Sequence, residues 1–200
     1  MARALRRSWG ARILMAIAWF LGLIGTVALA AALYIYLPGG KDRLESRFTV
    51  PAYSPVDFAT MRKDGKPHSF LVAPAGLGVE KADLVAPEFP LPASQVAALW
   101  REQVAVGENV TERKWDPATN TAYSVERTQL MRYPDLITAR FIDLGDGRST
   151  VALFSTSVYG LRDAGVNERR VRDWLERLTK AAWVQVAWAH AVAPDEGSAV

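Results

Sequence analysis

The chain has 200 residues, half of them hydrophobic, with no cysteine, two histidines and a formal charge of +3. Zero cysteine excludes disulfides, thiolate metal sites, iron–sulfur clusters and cysteine nucleophiles, and His68 and His190 alone leave little material for a histidine metal site or a catalytic dyad. Four of the 24 basic residues, Arg3, Arg6, Arg7 and Arg12, precede residue 40 with no acid, which leaves 20 bases against 21 acids beyond it and no basic face for nucleic acid.

Residues 1–12 read as a short basic N-terminus, and residues 13–37, ILMAIAWFLGLIGTVALAAALYIYL, carry no charge. At about 1.5 Å per residue a helix of that length covers roughly 37 Å, enough to cross a hydrocarbon core of about 30 Å with some tilt. The segment is therefore predicted to span a membrane. A cleaved signal peptide is the competing reading, because Ala28-Leu29-Ala30 has the A-x-A spacing; the apolar run continues through Leu37, longer than a usual signal core, which favours a retained anchor. Lys41, Arg43 and Arg47 follow the span while four arginines precede it, so the positive-inside rule puts the N-terminus in the cytoplasm. The expectation is a single-pass membrane protein with its large domain facing outward, which is a bacterial inner-membrane protein with a periplasmic domain if the source is Gram-negative. Ala18, Gly22, Thr26 and Ala30 recur every four residues and form a small-residue groove, a helix-packing surface in lipid.

Pro38-Gly39-Gly40 stops the helix, and residues 38–67 read as a tether laid over the domain that follows. Residues 68–190 are the predicted folded domain. Its Ala73–Pro92 stretch, rich in Gly, Pro and Ala, is expected to be irregular. A helix is predicted over Pro92–Val104, where Val96, Leu99, Trp100 and Val104 recur at helical spacing. Strands follow at Asn109–Trp115, Ala122–Tyr133, Leu136–Leu144 and Ser149–Tyr159, the last two joined by the hairpin signal Gly145-Asp146-Gly147-Arg148. A final helix starts near Asn167, a plausible N-cap, with Val171, Trp174, Leu175 and Leu178 as its apolar stripe and Arg170 among the residues of a solvated face. From Ala181 to Trp188 the pattern is apolar nearly all round, so that end is expected to be buried or to rest against the bilayer or a partner. Residues 191–200 read as a flexible polar tail. The whole is an α+β chain: one transmembrane helix, then a two-layer domain with an antiparallel sheet of about four strands and two helices.

Three segments, DFATMRKDGKP (57–67), VERTQLMRYPD (125–135) and GDGRSTVALFSTSVYGLRDAGVNERRVRDWLERL (145–178), carry a resemblance to the bacterial domain-of-unknown-function 1499 family over roughly Val56–Leu178. Compared with that family, His68 stands where Asn is usual, cysteines are absent around Pro74, and Ser155-Thr156-Ser157 and Arg162-Asp163 replace Ser-Arg-Ser and Ser-Asp. The resemblance supplies no activity; it implies an accessory domain, commonly behind a membrane segment.

Arg127, a charge within a half-apolar strand, is the first candidate for a binding site, as a fork for a carboxylate or phosphate. The plainer reading is a structural ion pair with Asp135 or Asp163. Asp163 and Asn167 are candidates for ligand-contacting loop residues, or simply turn and cap residues. Ser155 and Ser157 lack the G-x-S-x-G setting of a hydrolase nucleophile, His68 reads as an exposed loop residue, and Asp143 and Asp146 as turn acids. No catalytic, metal or cofactor constellation emerges. The reading is a non-catalytic, membrane-anchored accessory or interaction protein that docks on a larger membrane complex; the alternative is a module binding a lipid or other hydrophobic ligand at the membrane face.

Overall fold

The structure, a computed structural model, describes residues 2–61, 67–78, 81–160 and 163–192. Residues 62–66 of the first family segment, Arg162, the tail beyond residue 192 and the side chains of Arg3, Arg6 and Arg7 lie outside the described residues. The chain divides into two units, Met1–Phe48 and Thr49–Val200.

In the first unit, α1 runs unbroken from Ala2 to Tyr36, and its Trp9–Tyr36 portion is long and apolar enough to cross a membrane. Arg43 folds back to close its end: the guanidinium donates to the carbonyl oxygens of Tyr34 at 2.9 Å and Pro38 at 3.3 Å, acceptors that a helix C-terminus leaves without intrahelical partners. A Cβ on Gly40 would lie 2.1 Å from the Ile35 carbonyl oxygen, so glycine is what lets the chain reverse so tightly. A short helix, α2, follows over Gly40–Glu45.

The second unit is built on a seven-stranded sheet rather than about four strands. Its strands are β1 (Ser69–Ala73), β2 (Leu84–Val85), β3 (Glu88–Phe89), β4 (Val110–Asp116), β5 (Thr121–Arg127), β6 (Pro134–Gly145) and β7 (Arg148–Ser157). The order is β2-β1-β7-β6-β5-β4, with β3 on the same edge of β7 as β1; only β1 and β2 are parallel. The extra strands come from the region expected to be irregular and its N-terminal flank. β1 is buried at all five positions, so it shows no alternation, and two-residue strands have no period to read. β5 also ends at Arg127 instead of Tyr133; Thr128–Tyr133 forms a turn, closed by the Tyr133 amide donating to Thr128 Oγ1 at 3.0 Å. The hairpin between β6 and β7 turns at Asp146-Gly147, both at positive φ, as a tight two-residue turn requires.

Two helices cover one face of the sheet. α3 (Ala93–Leu99) continues into a π turn over Trp100–Val104, and α4 runs from Val166 to Val192. Asp143 caps α3 from a distance, accepting from the Ala93 amide at 2.8 Å. Trp100 centres this core with its ring 5.1 Å from Trp174 and 5.9 Å from Phe141. Inward residues of alternating strands, such as Ile137, Ala139, Val151 and Leu153, complete it. On the opposite face Phe58, fully buried, packs with Leu71 and Ala152, flanked by Val56 and Met61, so the segment before β1 straps the back of the sheet.

Candidate functional site

Strand register assembles a polar patch on the helix-covered face. Glu126 of β5 stands opposite Asp135 of β6, which stands opposite Ser157 of β7, and Ser155 lies two residues back on the same face. The first turns of α4 lower Asn167 and Arg170 onto this patch. Arg170 Nη2 meets Asp135 Oδ2 at 2.6 Å, its Nε pairs with Glu126 Oε2, and its Nη1 donates to Asn167 Oδ1 at 2.8 Å and to Ser155 Oγ at 3.2 Å. The Ser155 hydroxyl donates to Asn167 Oδ1. The amide nitrogen of Asn167 lies 2.8 Å from Asp163 Oδ2, 3.0 Å from Ser157 Oγ and 3.1 Å from the His68 carbonyl oxygen. Asp163 in turn accepts from the backbone amides of Gly165 at 3.0 Å and Asn167 at 2.9 Å, closing the start of α4.

Two neighbouring carboxylates share one buried guanidinium here. Burial pushes the Glu126 carboxyl above its ordinary 4.5, against the opposing pull of Arg170. Burial also works to raise Asp163, but hydrogen bonds from the backbone and side chain of Asn167 and the backbone of Gly165 outweigh it and hold that carboxyl below 3.8. The fork of Arg170 is filled by the chain's own carboxylates, and the Ser155 hydroxyl meets an amide and a guanidinium, neither of them a base. Physically this is a clasp tying the ends of β5, β6 and β7 to the head of α4.

The structure brings Asp135, Asp163 and Asn167 together and sets Arg127 apart. Arg127 alternates onto the opposite face of the sheet and donates from Nη1 to the Arg132 carbonyl oxygen at 2.8 Å, while the guanidinium on Asp135 belongs to Arg170. Asn167, expected as the N-cap, lies inside the first turn, and Asp163 does the capping because α4 starts at Val166. His68 is half-buried rather than exposed, its carbonyl oxygen engaged by the Ser157 amide and by Asn167. Arg170 and Glu126 were missed as site residues. The signal for Arg170 was its register: Asn167, Arg170, Val171 and Trp174 fall at i, i+3, i+4 and i+7, so it belongs to the apolar stripe and not to the solvated face. Among the described residues no cluster of three or more His, Asp or Glu side chains is placed to hold a metal ion.

Two open grooves lie elsewhere. One, of about 490 Å³, runs along α1 between Met15, Ala18, Trp19, Gly22, Leu23 and Thr26, and the Thr26 hydroxyl donates to the Gly22 carbonyl oxygen at 2.9 Å, leaving the groove apolar. Ala30 continues the same spacing one turn further. The other, also about 490 Å³, separates the π turn from α4; Leu99, Val104, Ala181, Val184 and Trp188 form its apolar part, and Gln103, Gln185, Arg177 and Lys180 its polar part.

One family model matches residues 54–178, and its description is a protein of unknown function, DUF1499. No curated protein matches the chain.

Proposed function

Since the chain belongs to the DUF1499 family, for which no activity is described, we propose from its own geometry that it is a single-pass, membrane-anchored, non-catalytic accessory protein of the bacterial inner membrane. Its outer domain stands in the periplasm and docks on a larger membrane complex. The observation that carries this reading is the clasp: the polar side chains best suited to a site hold one another, which leaves the surfaces, chiefly the α1 groove, for interaction. The charge asymmetry around α1 supports the orientation.

The groove between the π turn and α4 favours a second reading, a hydrophobic ligand held at the membrane face. One experiment separates the two. The full chain, carrying after Val200 a reporter active only in the periplasm, is purified in mild detergent and its co-eluting proteins and lipids identified by mass spectrometry. The proposal expects an active reporter and a stoichiometric membrane protein. An active reporter with a defined lipid and no protein supports the second reading, and a silent reporter overturns the orientation.

A further inference from the structure

α4 runs past the layer it packs on. Its last buried side chain is Ala182, yet the helix continues to Val192. Up to Lys180 its outer surface is charged and laced by pairs four residues apart, Arg172 with Glu168, Arg177 with Asp173 and Lys180 with Glu176. Beyond Lys180 no Asp, Glu, Lys or Arg occurs as far as Val192, while Trp183, Val184 and Trp188 are 58%, 68% and 66% exposed. Trp183 and Trp188 lie about 140° apart around the helix. Ala187 to Ala191 are all exposed, more than one full turn, with His190 the single polar side chain there. The change from charged to apolar thus runs along the axis, across a plane, and not around the helix as a stripe.

We infer that this end of α4 lies in the lipid interface of the membrane that α1 crosses, with Trp183 and Trp188 at headgroup level. The inference rests on the membrane-anchored reading of α1 but not on any partner. Gln185 and His190 are the polar side chains of this end, which carries no charged side chain as far as Val192, and a bilayer interface accommodates such an end with its tryptophans at the boundary. Tryptophan favours the boundary between headgroups and chains. Twelve residues separate Tyr36 from Thr49, so at full stretch the chain tethers Thr49 within about 45 Å of Tyr36.

The absence of cysteine makes the test clean. Full-length chains carrying one cysteine each, Val184→Cys, Trp188→Cys, Glu176→Cys or Leu23→Cys, are labelled with an environment-sensitive fluorophore and reconstituted in vesicles of zwitterionic and anionic phospholipid. Labels at 184 and 188 should emit to the blue and lose most of their emission to brominated lipid, whereas the label at 176 should yield to aqueous iodide. Quenching of 184 and 188 by iodide, or shielding of both from iodide and lipid alike as under a protein partner, overturns the inference. The label at 23 must report lipid in every case; if iodide reaches it, the anchored reading fails first and this inference with it.

Discussion

Arg170 balances two carboxylates that strand pairing places side by side, and its removal would leave both without their cation. Arg170→Ala should cost about 3–5 kcal/mol, the usual penalty for uncovering a buried charge partner. Replacing the three together, Glu126→Leu, Asp135→Leu and Arg170→Met, should restore a melting temperature near that of the natural chain, because a well-packed apolar set commonly matches a buried ion cluster. Thermal unfolding of the full chain in detergent checks both. The same clasp has two opposite pH limbs. The folded state binds the Glu126 proton more tightly than the unfolded chain does, so stability is lost as pH rises from about 4.5 through the raised folded value. Asp163 works the other way: the unfolded chain binds its proton more tightly, so stability is lost as pH falls below 3.8 through the lowered value. Glu126→Gln should flatten the first limb and Asp163→Asn the second in melting temperature measured against pH. At this scale the sequence yielded three of the clasp's members, Asp135, Asp163 and Asn167, but gave their cation as Arg127. A strand charge stands out against apolar neighbours, whereas Arg170 sits in a run of helix charges and is distinguished only by helical register, which a listing by residue type overlooks.

Elements were legible in proportion to their length. α1, the long β6–β7 hairpin and the first half of α4 repeat their pattern often enough to be read, and turn chemistry at Asp146-Gly147 marks the hairpin. β1 to β3 were not: one is buried throughout, and the other two exist only because β1 and β7 offer them a partner. The segment before β1 likewise has no period, since Phe58 and its neighbours meet the sheet as irregular chain. For α1 the small residues place a groove on one side, and filling it should separate packing from insertion. Gly22→Leu with Thr26→Leu keeps the span apolar, so the double variant should insert in the membrane as the natural chain does but recover much less of any partner that packs on α1. Quantitative co-purification decides it: unchanged recovery would make α1 a tether alone.

Across the whole molecule, charge partition carried more than net charge. A pI near 9.3 suggests a polyanion partner until the four arginines before the span are set aside, after which the second unit is nearly neutral. What remains, among the described residues, is one helix long and apolar enough to cross a membrane, a sheet covered on both faces and a polar cluster that holds its own members. On the proposed reading this cluster is architecture and interaction belongs to the surfaces. The most direct measurement takes the clasp-free triple variant, verified as folded by its melting temperature, and compares the membrane proteins it co-purifies in mild detergent with those of the natural chain. The same partners should be recovered in the same amounts; a folded triple variant that loses them would make the clasp a functional site.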